Sequence, residues 1–327
     1  MTFRISATSA VAALAVIGLA TVTACSSSSS RSSPAATGAA STPASSSSGS
    51  NPLSGGSGGS GTVVIGSANF PENEVLAEVY ALALQKAGVK VSTKLNIGSR
   101  EVYYPQVEKG AITIIPEYNG TLLTVEADKT STAKTTAAVD AALAAKLPSS
   151  LAVLNSAPAQ DSDSITVTQA TAAKYKLTSI ADLKSVASQF VLGGPPEFKT
   201  RTDGIAGLKS TYGLTFKGFD PLDTSGPITL SALTSGKVQA ADVFTTTPQI
   251  TTDKLVSLTD PKFNFAAQNV IPLVYKPALT STISSTLNAV SAKLTTAALL
   301  QLDTKVITDK ENYTTSAQDW LTSVGLG

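Results

Sequence analysis

Residues 106–121, QVEKGAITIIPEYNGT, and residues 232–247, ALTSGKVQAADVFTTT, read as one pattern written twice. With Gly110 set over Gly236, each has a helix end, a glycine just after it, a short apolar strand, and then an aromatic side chain with hydroxyls. Tyr118 falls opposite Phe244 and Thr121 opposite Thr247. Around both stretches strands alternate with helices. A buried strand at Val63 to Ile65 leads into a helix stopped by Gly88, with Asn69 as N-cap, Pro71 in the first turn, and Val75, Leu76, Val79, Ala83 and Leu84 on its apolar face. Val89 to Ile97 alternates as a strand. A helix follows whose Pro105 predicts a late start or a kink, and Ala111 to Ile115 is a strand that Pro116 ends. After a helix over 135–146 come a strand over 165–168, a helix over 180–187 begun by Ser179, the strand FVLGG, and a helix over 204–211. Such alternation predicts parallel α/β sheets, and two such units predict two lobes. Ligands of open α/β sheets bind outside the carboxyl ends of the strands. The repeated aromatic and hydroxyl groups are therefore expected to face one another across a cleft.

The start of the chain addresses the compartment. Arg4, an apolar stretch from Ala10 to Ala20 and the sequence VTAC ending at Cys25 have the plan of a bacterial lipoprotein signal. The stretch, about 11 to 15 residues, is short of the roughly 20 that span a bilayer. Cys25 is the expected lipidation site, so residues 1–25 are read as signal and anchor. Residues 26–61 are Ser, Gly, Ala, Thr and Pro with almost no apolar side chain, a disordered tether. Its root-mean-square span is roughly 30 to 36 Å.

Two absences narrow the chemistry. The chain has no histidine, and its only cysteine is the one read as lipidated; His-based triads, His-ligated zinc and thiolate chemistry are excluded together. Loss of Arg4 with the signal takes 24 basic against 23 acidic side chains to 23 against 23. A neutral chain without a basic stripe is not expected to bind nucleic acid. No cofactor and no metal are expected.

Six segments carry candidate site residues, four of them with a plainer alternative. EYNGT places Glu117, Tyr118 and Thr121 at a strand end, or is only a turn. SANFPEN, with Asn69, Phe70 and Asn73, offers free helix amides to a carboxylate, or caps itself with Glu72 and Glu74. NIGSRE offers Ser99 and Arg100 to an anionic ligand group, or Arg100 makes a surface ion pair. GGPPEFKTRTDG is a stiff loop that presents Glu197, Phe198, Arg201 and Asp203. AQDSDS carries Asp161 and Asp163 beside a new strand, either as ligand groups or as a solvated turn between lobes; the other ligands of a calcium loop are missing. VFTTT adds Phe244, Thr245 and Thr246.

Taken in order, IGSANFPENEVLAEVYALAL, NIGSREVYYPQVEKGAITIIPEYNGTLL, SDSITVT, LGGPPEF, VFTTT and LTDPKFNFAAQNVIPLV resemble the substrate-binding proteins of ABC importers for glycine betaine, carnitine and choline, the OpuAC/ProX-like family. The resemblance implies an α/β, two-lobe periplasmic-binding-protein fold (type 2) with a central ligand cleft. Lobe 1 would comprise 62–160 and 265–327 and lobe 2 161–264, with crossings near Gln160 to Ser164 and Phe265 to Asn269. It also implies a monomeric, lipid-anchored, extracytoplasmic binder that catalyses nothing and delivers a small compatible solute to a permease and its ATPase. Family members hold a quaternary ammonium in a box of tyrosines by cation–π attraction. Tyr118 and Thr121 match the family's ligand segment and Asn73 replaces a usual glutamine. SDSI stands where choline-type members have NTYA, putting Asp163 in place of a ring, and Phe198 and Phe244 are the nearest candidates for the later tyrosines. The ligand therefore stays open among a cation held by charge, a betaine-like or ergothioneine-like amino-acid derivative, a polyol and an aromatic solute. A lipid-anchored sensor using the same cleft, and a wall hydrolase using Glu117 and Glu197, are the alternatives to transport.

Overall fold

The computed structural model describes residues 61–327. The signal, Cys25 and all of the tether but Gly61 lie outside the described residues. The described residues form one compact unit with ten strands. They are β1 (Val63–Gly66), β2 (Val91–Lys94), β3 (Ile114–Tyr118), β4 (Leu151–Val153), β5 (Asp163–Thr168), β6 (Val191–Gly194), β7 (Gly218–Pro221), β8 (Ala240–Phe244), β9 (Leu255–Ser257) and β10 (Val270–Tyr275). They make two five-stranded sheets, ordered β2-β1-β3-β10-β4 and β7-β6-β8-β5-β9.

The two orders are one topology. In each sheet three strands run parallel and the fourth, β10 or β5, lies antiparallel to both of its neighbours. The aligned stretches coincide residue for residue: β3 and β8 occupy the same columns, and Gly110 and Gly236 have φ of 75° and 78°. That left-handed conformation closes the preceding helix without a Cβ clash. The expected two-lobe α/β architecture is present, and the first sheet takes its fourth strand from residues 270–275. Among the described residues no helix is long and apolar enough to cross a membrane.

Helices cover both faces of the first sheet. Helix α1 (Pro71–Lys86) buries Val75, Leu76, Val79, Tyr80 and Leu84 against the helices Ser281–Lys293 and Tyr313–Ser323. Each such aliphatic side chain contributes about 1.5–3 kcal/mol. Helix α2 (Arg100–Glu108) and the helix Thr136–Lys146 cover the other face. The chain passes between the sheets twice, and the passages run side by side: Gln160 bridges Asn269, and the Asp161 amide donates to the Gln268 carbonyl at 3.1 Å.

Local expectations fail where tertiary contacts compete. Pro116 does not end its strand, which starts later than expected and continues through Glu117 to Tyr118. The Asn119 amide donates to Asn269 and that of Tyr275 to Thr113, so the hydrogen-bonded pairs fall on odd residues of β3. Pro116 thus faces Pro272 at a position where neither needs an N–H. Asn69 is not the N-cap of α1. Phe70 is, with an extended backbone (φ −146°, ψ 151°) that the following Pro71 favours. Pro105 sits inside α2 without delaying its start at Arg100. Val89 to Ile97 is strand only over Val91–Lys94, at the sheet edge. The 180–187 segment is two short 3₁₀ turns, because Asp182 ties its first turn to the Thr178 and Ser179 amides and hydroxyls.

The paired glycines give a stability test. A Cβ on Gly236 meets nothing within 4 Å, whereas one on Gly110 would lie 2.6 Å from the Tyr275 ring. Gly236→Ala is expected to cost about 1–2 kcal/mol from its backbone alone. Gly110→Ala should cost clearly more, as read by urea denaturation.

Candidate functional site

Three rings from three segments meet between the sheets. Phe70, ahead of α1, lies edge-on to Phe244 at the end of β8, with centroids 5.2 Å apart and planes at 65°. It is tilted against Tyr118 at the end of β3, at 6.0 Å and 33°. Pro71 and the extended cap residue aim Phe70 into this gap, and the two matched strands deliver Tyr118 and Phe244 from opposite sides. They border a cleft whose free volume is about 50 Å³.

Polar groups complete the wall. Asn69, Phe70, Ser99, Arg100, Tyr118 and Thr121 line the cleft from the first sheet's side. Asp163, Glu197, Arg201 and Phe244 line it from the second, and Asp161 from the first crossing. Five predicted residues do not line the cleft. Asn73 is consumed by backbone, accepting from Ala68 N at 2.7 Å and donating to Pro116 O at 3.0 Å. Phe198 is in the core of the second lobe against Phe265, 6.4 Å away, so it supplies no ring to the cleft. Thr245 and Thr246 donate to Asp161, the first through its hydroxyl and the second through its amide, both at 3.1 Å. Glu117 is wholly buried.

Glu117 is the electrostatic foundation of the first wall. Arg100 grips it from Nε at 3.0 and 3.1 Å and from Nη2 at 2.9 Å, Tyr103 donates its hydroxyl at 2.6 Å, and the Tyr118 amide adds 3.0 Å. Burial alone would pull the Arg100 pKa down, but the charge of Glu117 and its hydrogen bonds outweigh it and hold the guanidinium protonated. Burial raises Tyr103, and Glu117 keeps its hydroxyl a donor. With its oxygens so engaged, Glu117 is no free acid for hydrolysis, and Glu197 lies 3.9 Å from Arg201. Among the described residues no group of three His, Cys, Asp or Glu could hold a metal ion.

The second guanidinium spans the lobes. Arg201 donates to Glu101 of α2 at 3.0 and 3.2 Å. Burial lifts the Glu101 carboxyl, but the Arg201 hydrogen bond and charge bring it to about 2. Asp163 is raised to about 6 by burial and then by Asp203, against the opposing pull of Arg201 and Arg100. Asp242, on the same sheet face behind it, is raised by burial and then by Asp163.

Four lining residues had not been singled out: Ala68, Tyr103, Thr224 and Gln268. The i, i+3 spacing of Arg100 and Tyr103 puts both on one face of α2, a signal open to sequence reading. Gln268 clamps Thr121, accepting its amide at 3.0 Å and donating to its hydroxyl.

Removing one member of the buried pair should be severe. Arg100→Met leaves Glu117 buried without its cation and is expected to cost about 3–5 kcal/mol of folding stability. The double replacement with Glu117→Gln should recover part of that loss, measured by chemical denaturation of all three variants.

The family model for the substrate-binding domain of ABC-type glycine betaine transport systems matches residues 61–323. The glycine betaine-binding protein YehZ of Escherichia coli (strain K12) is 28% identical over 80% of this chain and 90% of its own. A glycine-betaine-binding protein of Pseudomonas aeruginosa is 26% identical over 66% of this chain and 72% of its own. Among solved structures, a glycine betaine/carnitine/choline ABC transporter protein superposes with a TM-score of 0.63 at 22% identity, over 81% of this chain and 99% of that one. Apo YehZ gives 0.58 at 26% identity, over 81% and 99%.

Proposed function

The chain belongs to the substrate-binding family of ABC-type glycine betaine transport systems, and we propose that its cleft captures a small quaternary amine of the glycine betaine, choline or carnitine class. The protein is the extracytoplasmic, non-enzymatic binding component of such a transporter. The observation that carries the ligand class is the cluster of Phe70, Tyr118 and Phe244, drawn from both sides of the cleft. A trimethylammonium group cannot donate N–H bonds, so ring faces and nearby negative charge are what hold it. Each good ring contact is worth about 0.5–2 kcal/mol. Asp163 supplies negative charge where the family pattern would have supplied π density, with Asp161 beside it. Nη1 of Arg100 and of Arg201, which no residue engages in the hydrogen bonds above, suits the carboxylate of a betaine.

In this reading residues 62–160 and 265–327 form one lobe and 161–264 the other. The paired crossings at Asp161 and Gln268 act as the hinge, and the closed monomer hands its solute to a permease powered by an ATPase. Cys25 carries the lipid that keeps the domain beside that partner.

Calorimetry with glycine betaine, choline, carnitine, ergothioneine and a polyol tests the ligand class. Phe244→Leu keeps apolar area but removes the π face, and should weaken a trimethylammonium ligand by about fivefold or more, equivalent to about 1 kcal/mol. Binding of the polyol alone, or equal affinity in Phe244→Leu and wild type, sinks the aromatic role.

The anchor has its own test. Cys25→Ser should release the protein from membranes or leave its signal uncut, as seen by fractionation and the mature mass. Unaltered membrane attachment refutes lipidation.

A further inference from the structure

Behind the rings lies a group of carboxyls for which capture of a quaternary amine has no direct use. Glu72, buried in the first turn of α1, accepts the Tyr118 hydroxyl through Oε1 and the Thr246 hydroxyl through Oε2 at 2.7 Å. Tyr118 belongs to the first sheet and Thr246 follows the β8 strand of the second, so this one carboxyl touches both walls. Beside it is Asp303, the last residue of the helix Thr296–Asp303 and 1% exposed. Neither Asp303 oxygen meets a hydrogen-bond donor. The groups that act on it include the carboxyl of Glu72 and Thr246.

Two carboxylates can only accept. A hydrogen bond between Glu72 and Asp303 exists only when one of them carries a proton. The surroundings supply no alternative charge balance. Asp161 stands close to both and is itself followed by Asp163, which faces Asp203, Asp242, Arg201 and Arg100. Neither Glu72, Asp161 nor Asp303 is in a salt bridge among the described residues. Like charges buried together cannot all ionise, which is the situation in which a carboxyl pair keeps one proton at neutral pH.

We propose that Glu72 and Asp303 share one proton, and that through it Glu72 is the positioning residue that sets the Tyr118 ring against the ligand and fastens the second lobe through Thr246. The assignment rests on the solute-binding reading of the cleft. The pair itself lies within the first lobe, since α1 and the helix Thr296–Asp303 are in one core; it persists whatever the lobes do. Closure adds further burial, which raises the affinity for the proton by more than the Thr246 hydroxyl, a donor to the ionised carboxyl, lowers it.

The direction with pH follows. Burial, against the Glu72 hydrogen bond and with the Asp161 charge, pushes Asp303 up to about 8, and burial followed by Asp303 pushes Glu72 well above the carboxylate range. A group with the higher pKa in the closed state favours closure when protonated. Affinity therefore falls as pH rises toward and through about 8, by at most about tenfold per unit for one proton. Asp163, at about 6, titrates lower.

The test is the Kd of glycine betaine and of choline, measured by calorimetry on the full chain from pH 6 to 9.5. Wild type should lose affinity on the alkaline side. Asp303→Asn keeps the shape and gives Glu72 a permanent donor. It should bind within about threefold of wild type at pH 7, melt no lower, and show a flat alkaline limb. An absent limb in wild type, or a limb retained in Asp303→Asn, overturns the proposal. Infrared spectroscopy of the ligand-free protein at pH 7 supplies a readout independent of solute. A protonated buried carboxyl band present in wild type and missing from Asp303→Asn supports the shared proton, and no such band in wild type overturns it. If neither solute binds at any pH, the ligand class falls and the infrared result alone decides the proton.

Discussion

The pairing of β3 with β10 is the constraint on which the rest of the molecule depends. Strand β3 runs parallel to β1 on one side, and on the other it is paired along its whole length with β10, which arrives from the opposite direction. That strand comes from residue 270 onward, after the whole second sheet has been made. The first lobe is thereby built from two distant pieces of chain and the second is an insertion that must leave and return. Both passages emerge beside the end of β3, where the Asn119 side chain accepts the Asn269 amide at 2.8 Å. The geometry that finishes the sheet thus also places the crossings next to Tyr118.

The second sheet repeats this solution with β5 in the role of β10. Asp163 pairs with Phe244 as Val270 pairs with Tyr118. Where the first lobe has an apolar residue at the last rung, the second has an acid facing into the cleft. A cation between the lobes consequently meets rings from both sides but unbalanced charge from the second lobe and the crossing. The two guanidiniums are already matched to Glu117 and Glu101.

How much of this could be read from the chain follows from range. The doubled helix–glycine–strand–aromatic grammar is local, and it located Tyr118, Phe244, Gly110 and Gly236 with no structure at all. Proline rules are local as well, and they misled at Pro116, because the facing residue across the sheet is Pro272, 156 positions away in sequence. Asn73 and Phe198 lie in segments that do form the site, yet they point into backbone and core; segment patterns do not resolve which neighbour turns inward. Asp303 gave no signal, since an acid near a helix end is ordinarily solvated. Only the return of that helix onto the start of α1 makes it a buried partner of Glu72.

The contacts that hold the two lobes together differ in how they answer to dissolved ions. Glu101 with Arg201 is the only salt bridge joining residues of the two sheets among the described residues, and Glu101 is 41% exposed. The other cross-lobe links include Phe70 on Phe244, Thr246 to Glu72, Thr202 to the Thr124 carbonyl at 3.1 Å, and Thr124 and Thr121 to Asp203 at 3.4 and 3.5 Å. Screening at about 0.15 M salt acts over roughly 8 Å and weakens an exposed ion pair far more than a ring contact or a buried hydroxyl bond. Apolar contact is, if anything, strengthened by excluded salts and osmolytes. A clamp fastened this way keeps its grip in brine, where one fastened by surface charges would slacken.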